Sequence, residues 1–227
     1  MSFADFDHAG IGTLDIHGPD EVGPHSRVVI ALHGSGGNQE GMALWCQRAV
    51  EDGSVTILAP GAAGGGPWWR KDKSFQMDPN DGEFVAAIDA NIALVEHLLD
   101  QGVPAGNIFI VGFSQGACLA LEVATEMSDI EFGLVLAMSG GLLGLIVEDA
   151  VERGRFAFAT ARFHGNPIVL SVHRDDHAVP LFFVRQTRDV LTEIGANVSL
   201  RVEPSAGHQL IPEDRIVLHG AVRAASR

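Results

Sequence analysis

The sequence is poor in cysteine and in basic residues, and each shortage disfavours a class of protein. Its 227 residues include only two cysteines, Cys46 and Cys118, which are too few for a disulfide framework. We expect Cys118 to be buried and reduced. Lysine and arginine together number 15 against 29 aspartates and glutamates, which gives a formal net charge of −14. This balance disfavours nucleic acids and anionic membrane surfaces as partners.

Long apolar runs are also missing. No run approaches the roughly 18 residues that span a bilayer, so we expect no integral membrane association. Residues 1–7, Met-Ser-Phe-Ala-Asp-Phe-Asp, have neither the basic start nor the apolar core of a signal peptide. We therefore expect a cytoplasmic protein. A homodimer is also possible, because the sequence alone does not distinguish an apolar surface strip that could form an interface from the apolar residues of the core.

What the chain does have is a regular alternation of strand and helix patterns from residue 27 onward. Hydrophobic residues make up 46% of the sequence and glycines number 27, which suits a compact fold with tight turns. The alternation predicts an α/β fold, a mostly parallel central sheet with helices on both faces, as a single domain over residues 1–227. Residues 1–26 are predicted to form an N-terminal extension with an edge strand near 13–17, and residues 140–165 are a candidate cap segment. Strands are predicted over 27–32, 55–59, 107–113, 132–138, 167–172 and 198–202, and helices over 40–50, 81–101, 115–127, 142–162, 179–194 and 212–225.

One junction between a strand and a helix carries a candidate nucleophile. The apolar run 108–111 leads into Gly-Phe-Ser-Gln-Gly at 112–116, and a helical pattern follows. This order is typical of a nucleophile elbow, in which a strained turn lifts a serine hydroxyl, here that of Ser114, above the sheet edge. Gly112 and Gly116 would let the strand and the helix approach closely. An ordinary tight turn uses the same residue types, so the assignment depends on partners elsewhere in the chain.

A serine hydroxyl needs a base in order to act as a nucleophile, and the base needs an orienting carboxylate. In folds with a nucleophile elbow the acid and then the base follow the serine, each at the carboxyl end of a later strand. Asp175 and Asp176 follow the predicted strand 167–172, and His208 follows the predicted strand 198–202. His208 is therefore the predicted base, and Asp176 is the predicted acid with Asp175 as the alternative.

The same stretch has a second interpretation as a metal site. Its candidate ligands are His173, Asp175, Asp176 and His177. A metal site needs ligands at regular spacing and a third contributor, and the predicted triad already uses one of these carboxylates. We therefore expect no metal.

Acyl transfer also needs two N–H donors for the oxyanion. The amide of Gln115, directly after the candidate nucleophile, is one. The other should come from the loop after the first buried strand, which reads His-Gly-Ser-Gly-Gly at 33–37. The Ser35 amide is the candidate, because the surrounding glycines allow the backbone to turn its N–H groups inward.

Four segments together resemble the phospholipase/carboxylesterase family of α/β-hydrolases, which includes acyl-protein thioesterases and small bacterial carboxylesterases. They are Leu-His-Gly-Ser-Gly-Gly at 32–37, Gly-Phe-Ser-Gln-Gly at 112–116, Asp-His-Ala-Val-Pro at 176–180 and Gly-His at 207–208. The resemblance implies an α/β-hydrolase fold, a Ser-His-Asp triad and hydrolysis of carboxylic esters or thioesters without a cofactor. Arg174, directly after His173, occupies a position where the family usually has glycine. The segment from His173 to the acid is also one residue shorter than in the family, which keeps Asp175 as the alternative acid.

The walls of the substrate pocket are predicted from position alone. Trp68 and Trp69 follow a glycine-rich loop on the side where the site should lie, and their loop resembles the bacterial esterase branch. Further candidate walls of an apolar acyl pocket are Leu142, Leu143, Ile146 and Phe182. Core packing is the alternative for each of these residues.

The function predicted from the sequence is hydrolysis of a small-molecule carboxylic ester with a short to medium acyl chain. Thioesterase and lysophospholipase activities are alternatives within hydrolysis. The alternative of another class is a non-catalytic ligand-binding protein on the same fold.

Overall fold

The fold is built on a seven-stranded sheet in the computed structural model, which describes residues 3, 6–70, 78, 80–145 and 156–225. The strands are β1 (Ile11–His17), β2 (Val28–Leu32), β3 (Thr56–Ala62), β4 (Ile108–Phe113), β5 (Leu134–Met138), β6 (Pro167–Asp175) and β7 (Asn197–Ala206). Their order in the sheet is β1-β3-β2-β4-β5-β6-β7. β1 pairs antiparallel with β3 at one edge, and the other neighbouring pairs are parallel. The predicted α/β-hydrolase fold with a mostly parallel sheet is confirmed.

Helices cover both faces of this sheet, as the buried strands require. The helices of the described residues are α1 (Gln39–Val50), α2 (Gly82–Asp100), α3 (Gln115–Glu126), α4 (Leu181–Glu193) and α5 (Asp214–Ala224). Side chains alternate along β2: Val28, Ile30 and Leu32 join the core that contains residues of α2, α3 and α4. Val29 and Ala31 join the core that contains residues of α1 and α5. A strand buried on both faces is apolar throughout, which explains why the predicted strands are continuous apolar runs.

The predicted elements agree with the structure except at a few places. The edge strand expected near 13–17 is β1, and β7 runs four residues beyond its predicted end at 202, to Ala206. The helix predicted over 142–162 is described only at its ends. Residues 142–145 end in a turn, and Ala157–Ala159 form a short 3-10 helix. The remainder of that helix, and of the candidate cap segment 140–165, lies outside the described residues.

The carboxyl ends of the parallel strands lie along one edge of the sheet, where α/β proteins bind their ligands. Leu32 at the end of β2 pairs with Gly112 of β4, and Phe113 pairs with Met138 of β5. The loops that follow β2, β4, β6 and β7 therefore meet at this edge. Among the described residues, no helix is long and apolar enough to cross a membrane.

A carboxyl group on α3, that of Glu122, is buried in the core. The residue is 2% exposed, and its Oε1 accepts a hydrogen bond from the Leu143 N–H at 2.8 Å. Burial raises the pKa of Glu122 to about 8, although the hydrogen bond from Leu143 acts in the opposite direction. The folded protein therefore holds this side chain in its protonated form at neutral pH.

We expect Glu122→Gln to stabilise the protein more at pH 8 than at pH 5. As the pH rises, the unfolded chain releases the Glu122 proton near the ordinary pKa of 4.5, whereas the folded protein keeps it until about pH 8. Between these values wild-type stability falls by at most about 1.4 kcal/mol per pH unit, because the unfolded state alone ionises. Glutamine keeps the acceptor for Leu143 and removes the titration. Urea unfolding should therefore give the variant a stability gain that grows by roughly 2–4 kcal/mol from pH 5 to pH 8.

The matched control for this prediction is Glu131→Gln, because Glu131 is exposed. This variant should follow the wild-type pH dependence. Identical pH dependence in Glu122→Gln and the wild type would contradict the buried protonated state.

Candidate active site

Ser114 lies in a sharp turn between β4 and α3. Its backbone has φ 53° and ψ −118°, a region that residues with side chains rarely occupy, and its N–H donates to the Met138 carbonyl at 2.8 Å. A Cβ added to Gly112 would overlap the Gly116 backbone, and one added to Gly116 would overlap the Leu32 carbonyl oxygen. Both positions therefore need glycine for the strand and the helix to approach. The turn presents the Ser114 side chain at the carboxyl edge of the sheet.

A continuous series of hydrogen bonds joins Ser114, His208 and Asp176. Ser114 Oγ lies 3.0 Å from His208 Nε2, and His208 Nδ1 lies 3.0 Å from Asp176 Oδ2 and 3.1 Å from Oδ1. Because an ionised carboxylate only accepts, Nδ1 carries the hydrogen in a neutral imidazole, which leaves Nε2 able to accept a proton from the serine. The imidazole also packs against the Phe113 ring, with centroids 5.1 Å apart. The structure thus brings the three predicted triad residues together from three separate strand ends.

Asp176, not Asp175, is the carboxylate that contacts His208. Asp175 is the last residue of β6 and is exposed, whereas Asp176 is buried. Asp176 Oδ1 also accepts the N–H groups of Ala178 and Val179, each at 2.8 Å. Burial disfavours the charged carboxylate, but the hydrogen bonds from His208 and from the two amides outweigh it and lower the pKa of Asp176. The side chain is therefore held as an anion facing the imidazole.

The metal interpretation of residues 173–177 gains no support from the geometry. Both ring nitrogens of His173 are within hydrogen-bond distance of protein atoms, and the His177 ring stands edge-on to His208 with centroids 5.8 Å apart. Within the described ranges, no three His, Cys, Asp or Glu side chains are grouped so that they could hold a metal ion.

The glycine-rich loop after β2 runs beside the serine. A Cβ added to Gly34 would lie 3.2 Å from the Cβ of Ser114, so the loop backbone nearly touches the elbow. The loop then turns, with the Gly37 N–H donating to the Gly34 carbonyl at 2.9 Å. Asn38 ends the loop and caps α1, since its Oδ1 accepts the Gly41 N–H at 2.9 Å. These bonds fix the path of the loop next to Ser114.

The two amides predicted to hold an oxyanion are free in this arrangement. Gln115 is the first residue of α3, where a helical N–H has no acceptor within the helix. In the part of the chain that the structure describes, neither the Ser35 amide nor the Gln115 amide donates to a protein acceptor. Unused N–H groups of this kind are the donors that can stabilise the negative charge of a tetrahedral intermediate.

Trp68 and Trp69 are buried next to the loop after β2. They are 5% and 2% exposed, and the Trp68 ring stacks on the His33 ring with centroids 4.9 Å apart. The Trp68 indole N–H donates to the His33 carbonyl at 2.9 Å. The Gln115 side chain accepts the Trp68 N–H at 2.8 Å and donates to the Trp69 carbonyl at 3.0 Å. These contacts connect the loop after β3 to the elbow and to the loop after β2. Both tryptophans therefore have the packing role that is the alternative to lining the pocket.

A cavity of about 560 Å³ opens beside Ser114. Glycines and the apolar side chains of Met42, Phe113 and Leu210 form much of its wall, and no Lys, Arg, Asp or Glu is among its described lining residues. The full lining is His33, Gly34, Ser35, Gly36, Gly37, Asn38, Gly41, Met42, Phe113, Ser114, His208 and Leu210. Met42 and Leu210 were not predicted from the sequence as pocket residues. Their only signal in the sequence is that they follow the glycine-rich loop after β2 and the predicted base, respectively.

The side chains predicted as pocket walls do not belong to this lining. Leu142 and Leu143 are completely buried in the core, and Phe182 is 57% exposed at the start of α4. Trp68 and Trp69 pack behind the loop, as described above. Ile146 lies outside the described residues.

Neither cysteine competes with Ser114 as a nucleophile. Cys46 and Cys118 are both buried and unpaired, as expected for Cys118. Burial raises the pKa of the Cys118 thiol to about 12 and moves that of Cys46 in the same direction. Both therefore stay protonated and unreactive at neutral pH.

Comparisons with known proteins agree with this architecture. A family model described as Phospholipase/Carboxylesterase matches residues 19–216. Acyl-protein thioesterase 1 of Neurospora crassa is 29% identical over 212 residues, covering 85% of this chain and 84% of that protein. Lysophospholipase-like protein 1 of Mus musculus is 25% identical over 209 residues, covering 83% of this chain and 82% of that protein.

A solved structure of a related protein has a similar three-dimensional fold. The phospholipase/carboxylesterase from Dyadobacter fermentans DSM 18053 matches with a TM-score of 0.79 and 26% identity, covering 96% of this chain and 100% of that chain. The family match spans most of the chain, including the elbow and the segments that carry Asp176 and His208. The chain therefore belongs to the phospholipase/carboxylesterase family of α/β-hydrolases.

Proposed function

We propose that this protein is a serine hydrolase that cleaves carboxylic esters of short to medium acyl chain through an acyl-enzyme. The observation that carries the proposal is the hydrogen-bonded series from Ser114 Oγ through His208 to the Asp176 carboxylate, with links of 3.0 Å at each end. An open cavity adjoins the same serine, and among the described residues the amides of Ser35 and Gln115 donate to no protein acceptor. Nucleophile, base, orienting acid and oxyanion donors are the parts that acyl transfer requires.

The reaction follows from the role of each group. His208 Nε2 takes the proton of the Ser114 hydroxyl as Oγ attacks the acyl carbon, and the carbonyl oxygen becomes an anion held by the amides of Ser35 and Gln115. The tetrahedral intermediate then collapses, His208 returns the proton to the departing alcohol, and an ester to Ser114 remains. Water, deprotonated by His208, attacks this ester; the bond from the acyl carbon to Ser114 Oγ then breaks, His208 returns the proton to Oγ, and the acid is released. Asp176 keeps the imidazole in the required tautomer and stabilises its charged form.

The choice of substrate rests on the cavity beside Ser114. Its described walls include glycine backbone and the apolar side chains of Met42, Phe113 and Leu210 and contain no Lys, Arg, Asp or Glu, so an uncharged group binds there at the least desolvation cost. The described lining offers an acyl chain these three apolar side chains, which suits a short or medium chain better than a long one.

Thioesterase and lysophospholipase activities are the two alternatives, and the names of two relatives support them. The Neurospora crassa relative is an acyl-protein thioesterase, and the mouse relative is lysophospholipase-like. Both activities would use the same serine and the same acyl-enzyme, so they differ from the proposal only in the group that leaves or in the length of the acyl chain.

We expect the wild-type protein to react covalently with a fluorophosphonate probe and to hydrolyse p-nitrophenyl esters with a preference for shorter chains. The value of kcat/KM for p-nitrophenyl butyrate should exceed that for p-nitrophenyl palmitate by about tenfold or more, because the described lining offers a longer chain no apolar side chains beyond Met42, Phe113 and Leu210 to pack against. The butyryl oxygen ester of an alcohol and the butyryl thioester of the corresponding thiol, compared under one set of conditions, separate esterase from thioesterase activity. Lysophosphatidylcholine, assayed in parallel, tests the phospholipase alternative.

Absence of probe labelling together with absence of ester turnover would overturn the proposal. It would favour the non-catalytic ligand-binding alternative, since a binding protein without a working triad does not form a covalent adduct. Labelling of Ser114 combined with faster cleavage of the thioester or of the lysophospholipid would keep the mechanism and change the substrate.

A further inference from the structure

We propose that His173 is a positioning residue that holds the turn carrying His208 in register with Ser114 and Asp176. The inference deepens the proposed function and rests on it. His173 lies on β6, three residues before Asp176, and is 3% exposed. It does not contact Ser114, and it would act only through the backbone on both sides of His208.

The two ring nitrogens of His173 contact the chain before and after His208. Nδ1 lies 2.9 Å from the Ser205 hydroxyl, and Nε2 lies 3.2 Å from the Gln209 carbonyl oxygen. Ser205 belongs to the last residues of β7, and Gln209 directly follows His208. A single buried ring therefore spans the turn that carries the base.

The acceptor at Gln209 determines how the ring is protonated. A carbonyl oxygen only accepts, so Nε2 of His173 carries a hydrogen and donates it. In the neutral ring Nδ1 is then an acceptor, and the Ser205 hydroxyl donates to it. The Ser205 hydroxyl also lies 3.5 Å from Glu203 Oε1, which is too far to compete with the 2.9 Å contact to the ring.

The sheet is irregular at the place that His173 spans. β6 and β7 are in regular parallel register up to the pair His173 and Glu203, and the register then shifts before Asp175 pairs with Ala206. Beyond the shift the Gly207 N–H donates to the Asp175 carbonyl at 3.4 Å. The His173 side chain thus supplies a cross-link between β6 and the turn after β7 at the place where the register of the two strands changes, close to both the acid and the base.

Loss of this cross-link should lower the rate of the chemical step and leave substrate binding unchanged. His208 must keep its Nε2 within hydrogen-bond distance of Ser114 and its Nδ1 within that of Asp176. A displacement of the base by about 1 Å is enough to reduce the rate by on the order of 100-fold. The substrate cavity is lined by His208 and Leu210 but not by His173, so KM should stay close to the wild-type value.

Three variants at one position separate the two hydrogen bonds. His173→Phe keeps a planar ring of similar size and removes both bonds. In His173→Gln the amide nitrogen extends about as far as Nε2 and can donate to Gln209, whereas in His173→Asn the amide oxygen extends about as far as Nδ1 and can accept from Ser205. Each variant is assayed with p-nitrophenyl butyrate, and kcat is divided by the fraction of molecules that a fluorophosphonate labels at completion.

The expected result is a 10- to 100-fold lower kcat per labelled site in His173→Phe, with KM within about twofold of the wild type. His173→Gln should recover most of the lost kcat, and His173→Asn should not, because the Gln209 bond is the one adjacent to His208. If His173→Phe does not fold, the comparison of the Gln and Asn variants still tests the inference.

Two results would overturn it. A purely structural role lowers the labelled fraction but leaves kcat per labelled site at the wild-type value, and equal losses in all three variants would exclude the Gln209 bond as the cause. Failure of the wild type to react with the probe or the ester would instead contradict the proposed function, so the two failures are distinguishable.

Discussion

Ser114→Ala is expected to abolish ester hydrolysis while leaving the fold intact. Without Oγ no acyl-enzyme forms, and His208 has no proton to take. In serine hydrolases with a complete triad this loss lowers kcat by about 10⁶-fold, and the residual rate comes from the oxyanion donors and substrate binding. The measurement is turnover of p-nitrophenyl butyrate, combined with the loss of fluorophosphonate labelling.

The backbone at Ser114 explains why the variant should still fold. Alanine has the same Cβ, so the turn at φ 53° carries no additional strain. Ser114 precedes the first residue of α3, yet its side chain makes no capping hydrogen bond, so the helix loses no cap. The free energy of unfolding should change by less than about 1 kcal/mol. Ser199→Ala, at an exposed serine of β7, is the matched control and should retain full activity.

Retained turnover in Ser114→Ala would contradict the assignment of the nucleophile. Loss of turnover together with loss of the unfolding transition would show only that the variant does not fold. In that case Ser114→Cys, which restores a nucleophilic atom at the same position, decides the question by its reaction with thiol reagents.

Much of this site could be predicted from the sequence because its signals are local. The glycines at 112 and 116, the apolar run before them and the helical pattern after them are all within one short stretch. Parallel topology then restricts the acid and the base to the segments that follow later strands, and the chain order typical of nucleophile-elbow folds places the acid before the base. These two constraints identify Asp176 and His208 from the sequence alone.

The pocket walls could not be predicted in the same way, because an apolar side chain beside a site can face the core or the cavity. Leu142 and Leu143 follow β5 and pack inward, whereas Met42 and Leu210 line the cavity. Nothing in the local sequence separates these cases, since the difference arises from the packing of α1 and of the turn after His208. The hydrogen bonds between the Gln115 side chain and the backbone of Trp68 and Trp69 are equally non-local, because the partners are 47 and 46 positions apart in the sequence.

Asp176→Asn should lower kcat by about 10⁴-fold, a smaller loss than that of the nucleophile but still a severe one. Asparagine can still accept the amides of Ala178 and Val179 through its oxygen, so the local turn is retained. If its NH₂ group faces His208, that group donates and Nδ1 must become the acceptor. The hydrogen of the neutral ring then moves to Nε2, which can no longer take the Ser114 proton. Single-turnover acylation by p-nitrophenyl butyrate measures this step directly.

Asp175→Asn is the matched control, since it makes the same chemical change one residue earlier, at an exposed side chain. It should keep kcat within about twofold of the wild type, in line with the small effects of most surface substitutions.

The two variants should also differ in their stability at acidic pH. Because the pKa of Asp176 is lowered in the folded protein, its carboxylate stabilises the fold above the unfolded pKa of about 3.9, and this contribution is lost as the pH falls through the lower folded value. Asp176→Asn lacks that pH-dependent contribution. A large loss of kcat in Asp175→Asn with little loss in Asp176→Asn would reverse the assignment of the acid and contradict the geometry of the His208 contact.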